Sequence, residues 1–513
     1  LLAARRDDHM EAERLLVQAI NQAPRRVDLY ENLGSLYISR NVPDAAEEVY
    51  RKALTLNPTS FKSKLGVAVA LVRQRKGEDA LPILLELKKR HPNEVEVLQA
   101  IFLALEQMDR YQEAFPFLEK AIAIAPENTY LRELRALAST RKGDFELARK
   151  DLEYVLASEP DHPRAWSALS RIIKFQRDDP KLFQLDRAFE NSPEDSPARV
   201  YLAFASAKAM EDVGEYDEAF ARYAEGNAIR HRHLDGYNLD AELAHLQAVM
   251  EYWAADAFAS TSGLTDERPV FIVGLPRCGS TLTEQILSAH PLVASRGEWN
   301  AFEGVLLAWQ QRTGTTITLE DMTGYASAQW AEIGRLFLNR LDEGEQALRI
   351  TDKTLNTHRL LGAIHCALPK AKIIHVRRHP LDHCLGMFRA NFRGGEFDFV
   401  YSLRGIGYYY RMYARLMRHW ASVLPEGTML EVRYEDLVRE PEREVRRMID
   451  FLGLPWDEAC LDFSRARTIV RTSSVAQVRE GMRKDYMQRW KRYEKHLEPL
   501  KRILKDELAA WPE

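Results

Sequence analysis

PVFIVGLPRCGSTLTEQILSAHP, residues 269–291, is an apolar run that passes through a Gly-rich turn straight into a helical pattern. Val270, Phe271, Ile272 and Val273 read as a buried strand, and Gly274 to Gly279 as a turn in which backbone N–H groups can converge. Ser280 to Ala289 supply a helix whose first N–H groups have no intrahelical acceptor and whose dipole favours anions. The arrangement predicts a phosphate cradle, with an ordinary strand-turn-helix unit as the plainer alternative. A nucleoside-triphosphate P-loop would continue Gly-Lys-[Ser/Thr] after its second glycine. Here Gly279 is followed directly by Ser280 and Thr281, and the positive charge is Arg277, ahead of that glycine. A P-loop kinase is therefore the weaker reading, because a phosphoryl transferase needs the missing lysine and a set of Mg2+ ligands.

Around this segment lie 513 residues, too many for one core and enough for two or three domains. The net charge of −4 gives no footing for a nucleic-acid or anionic-membrane partner. One stretch departs from that balance: Ser464 to Lys505 carries thirteen Lys/Arg against four Asp/Glu, as a solvated helical face or a surface turned to anionic ligands would. Cys278, Cys366, Cys384 and Cys460 lie far apart without a C-x-x-C pair. They indicate neither a zinc site nor a disulfide framework, and point to a reducing, cytoplasmic location. No apolar run reaches about 18 residues, and LLAARRDDHMEAERLL at the start is amphipathic rather than a signal sequence. A start at Leu1 instead of Met suggests a fragment and leaves a removed N-terminal anchor open.

The first third of the chain is periodic. Pro24, Pro58, Pro92, Pro126 and Pro160 are spaced by 34 residues, and Ala12, Ala46, Ala80, Ala114 and Ala148 keep the same period. A 34-residue period is the tetratricopeptide signature: two antiparallel helices per unit, small residues where helices touch, and proline closing the second helix. In the unit Val27 to Ser60, Leu33, Gly34 and Tyr37 take the first-helix packing positions, Ala46, Tyr50 and Ala53 the second-helix ones, and Pro58 the exit. Five repeats end near Asp161, and Gly214 to His233 reads as one more, degenerate unit. ASTSGLTDERP, residues 259–269, reads as a linker with the boundary near 265. The expected division is 1–161 for the array, 162–264 for the degenerate repeat and connector, and 265–513 for the α/β domain.

PRCGSTL, from Pro276 to Leu282, fits at each position the 5′-phosphosulfate loop P-R-[SC]-G-[ST]-T-L of sulfotransferases that use 3′-phosphoadenosine 5′-phosphosulfate. From Pro269 onward the chain resembles the tyrosylprotein sulfotransferases and the bacterial sulfotransferases that carry tetratricopeptide repeats. The resemblance implies a fold of two parts: an all-α solenoid, then a P-loop-like α/β domain with a mainly parallel sheet and the donor at the C-terminal ends of its strands. It implies that Arg277, Cys278, Gly279, Ser280, Thr281 and Leu282 hold the 5′-phosphosulfate, with Arg277 also acting on the reacting group. Glu298, in RGEWNAF, stands where the family places its catalytic carboxylate, and partial burial beside Trp299 is expected to tune it as general base. A helix-starting Glu remains the alternative. Lys353, in RITDKTLN, resembles the Asp-Lys element that sets an ammonium near the leaving phosphate, though a solvated strand-end Lys has the same look.

RRHPLDHCLGMF, following the predicted strand Ala371 to Val376, occupies the place of the 3′-phosphate motif R-D-P-x-D-x3-S. Arg378 matches its Arg; His379 stands where Asp is common and Gly386 where a Ser hydroxyl would bind the phosphate, with Arg389 one turn on to compensate. By the same resemblance Tyr434 maps to a nucleotide-side Tyr, with a core-edge Tyr as the alternative, Ser474 in TSSVAQV to the Ser of a closing loop, and Arg489 to a terminal basic ligand. His375, His379 and His383 recur every four residues, but Pro380 starts a helix between them, so they share no face and no metal is expected. The expected activity is sulfuryl transfer to a hydroxyl, with protein tyrosine, a glycan, a lipid or a small phenol as acceptor. The repeat groove would recruit a protein or peptide acceptor, or serve a homodimer. A repeat adaptor with an inactive transferase half is the reading from another class, motivated by His379 and Gly386.

Overall fold

The computed structural model describes residues 9–108, 110–258, 263–314, 317–341, 347–392, 395, 397–462 and 487–512. It divides into two compact units, Leu1–Ala136 and Leu137–Glu513.

The first unit is built from helix pairs. His9–Gln22 is a lone second helix, followed by Val27–Ser39 with Pro43–Leu56, Phe61–Arg73 with Gly77–Arg90, and Val95–Gln107 with Tyr111–Ile124. The periodic alanines of this unit, Ala12, Ala46, Ala80 and Ala114, are all buried, because only a methyl group lets neighbouring helices approach at that point. Tyr50 shows the same logic in its sharpest form. A Cβ placed on Gly34 would stand 2.7 Å from its ring and one on Gly66 2.5 Å, so two glycines from successive repeats close on the ring's opposite sides. Its hydroxyl meets Ser35 Oγ at 2.9 Å.

The second unit opens with the helices Phe145–Ser158, Pro163–Ile172 and Pro180–Asn191, then pairs Pro197–Asp212 with Tyr216–Arg232. The stretch from Gly214 to His233 is thus the second helix of a unit whose first helix lies upstream of it. Gly226 admits the Phe204 ring, 2.9 Å from where a Cβ would sit. These helices share a core with the α/β part: Asn227 Nδ2 donates to the Phe388 carbonyl at 2.8 Å, and the Trp253 carbonyl meets His419 Nε2 at 2.8 Å.

Five parallel strands make the sheet: β1 Pro269–Val273, β2 Val293–Ser295, β3 Arg349–Asp352, β4 Lys372–Arg377 and β5 Met429–Arg433. Their spatial order is β2-β3-β1-β4-β5. All of β1 is buried, as its unbroken apolar sequence requires of a central parallel strand. The chain runs outward from β1 to β2, returns through β3, and crosses to β4 on the far side. That reversal beside β1 is the topological switch point at which α/β sheets open a crevice at their C-terminal edge.

Candidate active site

Strand order explains why motifs scattered over 157 residues of sequence meet, as the span from Arg277 to Tyr434 shows. Each strand ends in one of the residues singled out above: Glu298 beyond β2, Lys353 after β3, Arg277 after β1, Arg378 after β4 and Tyr434 after β5. Neighbouring strands lie about 4.8 Å apart, so these five residues form a row along one edge in that order.

The loop after β1 takes two left-handed residues, Arg277 at φ 74° and Gly279 at φ 111°, the latter capping the helix Ser280–Ser288. A side chain on Gly279 would also strike the Tyr434 ring at 2.7 Å. Ser280, Thr281 and Leu282 are buried in the first helical turn, and Cys278 is buried beneath the loop. Burial pushes the Cys278 thiol up, against the opposing pull of Ser280 and the Lys353 charge. Arg378 Nη1 donates to the Arg277 carbonyl at 3.4 Å, and its guanidinium lies 4.7 Å from the centre of the Tyr434 ring. Burial raises the Tyr434 phenol, while the charges of Arg378, Arg489 and Arg277 act to lower it. Gly386 faces the Arg277 side chain, with a notional Cβ 3.3 Å from Arg277 Cβ.

Lys353 is almost wholly buried and donates from Nζ to Glu298 Oε1 at 2.7 Å. Glu298 itself is 48% exposed, in contrast to the partial burial expected beside Trp299. Trp299 turns instead to Phe337 and lies under the Arg296 guanidinium.

The C-terminal candidates fare differently. Ser474 lies outside the described residues. Arg489 begins a short 3₁₀ segment, Arg489–His496, and its Nη1 stands 3.8 Å from Glu211 Oε1. Arg389 does not replace the hydroxyl missing at Gly386. It is buried against Glu211, with its ring-facing side toward Tyr223 and Tyr493. Burial works against its charge, but Glu211 and the two phenols outweigh it and hold the guanidinium protonated.

Several groups that sequence reasoning passed over hold this edge together. His383 Nε2 meets the carbonyls of Leu275 at 3.3 Å and Pro276 at 3.0 Å, so the ring fixes the loop after β1; burial lowers its pKa to about 3 and keeps it neutral. Asp382 accepts the N–H groups of Gln488 at 2.6 Å and Trp490 at 2.9 Å, which ties down the segment bearing Arg489. His379, the residue standing in for Asp, stacks on Trp490 with an interplanar angle of 2°. Its N–H donates to Glu435 Oε1 at 2.9 Å. His383 was visible only as part of a four-residue histidine spacing, and Asp382 only as the second Asp of the R-D-P-x-D-x3-S pattern, neither of which says what the side chain holds. Among the described residues no group of three His, Cys, Asp or Glu is placed to hold a metal ion.

The Gly-rich loop at a helix N-terminus and the lysine-carboxylate pair thus stand along one edge of the sheet, where its strand order opens a crevice. The family model of the sulfotransferase family matches residues 269–458, and that of the N-terminal TPR repeats region of Psidin matches residues 25–178. The chain joins a sulfotransferase-family domain to tetratricopeptide-like repeats. A protein of Aquifex aeolicus (strain VF5) described as uncharacterized is 25% identical over 464 residues, 87% of this chain and 54% of its own. Protein-tyrosine sulfotransferase A of Caenorhabditis elegans is 25% identical over 205 residues, 37% of this chain and 51% of its own. The Drosophila melanogaster protein-tyrosine sulfotransferase is 25% identical over 234 residues, 44% and 46%. The chain spans about half the length of each of these three relatives. Among solved structures, the sulfotransferase domain from the Synechococcus PCC 7002 olefin synthase is 21% identical with a TM-score of 0.30, covering 46% of this chain and 97% of that one. A tetratricopeptide repeat protein from Parabacteroides merdae ATCC 43184 is 17% identical with a TM-score of 0.33, covering 46% and 90%.

Proposed function

We propose that the chain transfers a sulfuryl group from 3′-phosphoadenosine 5′-phosphosulfate to an acceptor hydroxyl, with protein tyrosine as the first acceptor to test. The observation that carries this reading is the Lys353–Glu298 pair standing next to the Arg277–Leu282 loop. A donor with two anionic ends fits the residues present. The loop and its helix N-terminus suit one anion, and Arg378 beside Tyr434, with the charge of Arg489 added, suits a second on the β4 and β5 side. Cys278, Gly279, Ser280, Thr281 and Leu282 would supply N–H groups and hydroxyls to the first. Bound there, the donor supplies the sulfuryl group and takes the electron pair of the broken S–O bond on its 5′-phosphate.

The protein's own residues then have distinct tasks. Glu298, exposed at the β2 side, accepts the proton of the acceptor hydroxyl as its oxygen bonds to sulfur. Lys353 sits between Glu298 and the loop, so it can pass from the carboxylate to the leaving oxygen, freeing Glu298 to act as base. Arg277, on the loop itself, would steady the equatorial charge of the transferring group. The repeats would recruit the acceptor protein, a homodimer being the other use of such a surface. No described helix is long and apolar enough to cross a membrane. A cytoplasmic location and the division at 161 and 265 stay part of this proposal, supported by four widely spaced cysteines without a C-x-x-C pair and by the repeat period.

Calorimetric titration with 3′-phosphoadenosine 5′-phosphate, beside Mg-ATP, tests the donor site. Binding of the bisphosphate is expected, weakened about 10- to 150-fold in Arg277→Ala by loss of charge-assisted contacts of about 1.5–3 kcal/mol. A preference for Mg-ATP would overturn the reading in favour of a kinase, and binding of neither would leave the adaptor.

A further inference from the structure

Glu298 occupies an unusual turn. The residue before it, Gly297, has φ 64°, and the second residue after it, Asn300, has φ 52°; both are left-handed. Gly297 takes this conformation freely, whereas Asn300 bears a backbone cost that its surroundings must cover. Here the N–H of each corner is held. Gly297 N–H donates to Glu284 Oε1 at 3.1 Å. Asn300 N–H donates to Thr354 Oγ1 at 2.7 Å, and that hydroxyl in turn donates to Asp352 Oδ1 at 2.6 Å. Ala301 N–H also reaches Asp352. The carbonyl of Gly297 accepts from the N–H of Lys353 at 2.9 Å, so the turn is bonded to the very residue that Glu298 faces.

Both carboxyls are deeply buried, Glu284 at 4% exposure and Asp352 at 4%. Glu284 lies on the helix of the phosphate loop and also accepts from Thr351 Oγ1 at 3.2 Å, with Ser295 bonded to it as well. It therefore links the loop's helix, the ends of β2 and β3, and the turn. Asp352 ends β3 and accepts the Thr354 N–H at 3.0 Å. Its second oxygen, Oδ2, is buried without a hydrogen-bond partner, so its bonds to Thr354 are both made through Oδ1. Burial raises both groups, Glu284 against the opposing charge of Lys353. Two buried acids placed on the two corners of one turn are expensive unless the turn must be exact.

We propose that Glu284, directly, and Asp352, through Thr354, are paired positioning residues that fix the Gly297–Asn300 turn and so aim Glu298 at Lys353. Their part is to accept hydrogen bonds; neither touches a reacting atom. The inference rests on the sulfotransfer reading only for its consequence in turnover, since the positioning itself can be read without any substrate.

Three variants of the full chain test it. Glu284→Leu fills the volume and removes the acceptor, Glu284→Gln keeps an acceptor without charge, and Thr354→Val removes the hydroxyl while keeping its shape. Hydrogen exchange of the peptide spanning residues 296–302, followed by mass spectrometry, reads the turn. Glu284→Leu and Thr354→Val are expected to speed exchange there by about tenfold or more. They are also expected to lower kcat roughly 10- to 100-fold with donor KM nearly unchanged, as misplacement of a catalytic group does. Glu284→Gln is expected to restore slow exchange and most of kcat. Unchanged exchange in Thr354→Val, or in a folded Glu284→Leu, overturns the proposal, as does a Glu284→Gln protein as loose as the leucine variant. Should Glu284→Leu fail to fold, Thr354→Val and Glu284→Gln decide. Faster exchange in a protein whose wild type transfers no sulfuryl group would uphold the positioning and sink the sulfotransfer reading instead.

Discussion

The repeat array and the strand-end row are built from opposite kinds of information. In the array each contact recurs at a fixed sequence distance: Ala46 and Ala80 hold equivalent helix contacts, and Tyr50 is enclosed by glycines 16 residues away on either side, Gly34 and Gly66. In the row, Glu298 and Lys353 are 55 residues apart, and Arg378 bonds to Arg277 across 101. Repetition makes the first region robust and readable, because any one unit predicts the next. The second depends on the order in which five strands assemble, so a single misplaced group can abolish function without disturbing the fold.

The largest effect expected from this contrast is at Glu298. Glu298→Gln keeps shape and removes the proposed base, so kcat should fall about 10²- to 10⁴-fold while affinity for 3′-phosphoadenosine 5′-phosphate stays within a few-fold. Steady-state rates paired with calorimetry check it; a variant with wild-type kcat would remove Glu298 from the chemistry. Tyr50→Ala addresses the other region. Emptying the space between Gly34 and Gly66 should cost the array about 3–5 kcal/mol, seen in denaturant unfolding. Donor affinity measured on the same sample then shows whether array and site respond separately.

Part of the site was legible because it is local. The strand-loop-helix at 269–291, the Pro and Ala ladders, and the short strings around Glu298, Lys353 and Arg378 each announce themselves within a dozen residues. The groups that position them do not. Glu284 looks like any helical Glu and Glu211 like a surface residue, and the motif that contains Asp382 does not show that it holds the Gln488 and Trp490 N–H groups, until distant chain packs over them. Arg389 misled for that reason: one turn past Gly386 suggested a phosphate ligand, but Glu211, 178 residues earlier, had already claimed it.

Asp352 sharpens the point by pH. Its pKa is raised to about 6 by burial, against an ordinary value of 3.8. The folded state thus holds the proton more tightly than the unfolded chain, so this contribution is full below about 4 and is lost as pH rises through about 6. Asp352→Asn keeps Oδ1 as an acceptor and cannot ionise. Its stability relative to wild type should therefore grow between pH 4 and pH 7 by up to about 3 kcal/mol, from two pKa units at 1.36 kcal/mol each. Urea midpoints at the two pH values measure it, and a flat difference would show that Asp352 titrates normally.

The smallest expected effect is the most discriminating for the row itself. Gly386→Ser restores the hydroxyl that related phosphate motifs carry, and a new charge-assisted bond to an anion brings about 1.5–3 kcal/mol. Against it stands the approach of the new Cβ to Arg277, 3.3 Å from Cβ and 3.8 Å from Cγ, which requires that side chain to shift by a few tenths of an ångström. Arg277 is itself left-handed at φ 74°, so its side chain has little freedom to yield without disturbing the loop. The gain and the cost fall on neighbouring ends of one bound donor, and the net change in affinity is expected to be an increase below about tenfold. A loss of affinity would mean that glycine at 386 is the fitted partner of a tightly drawn Arg277. A gain near a hundredfold would mean that the loop is looser than its two left-handed residues imply.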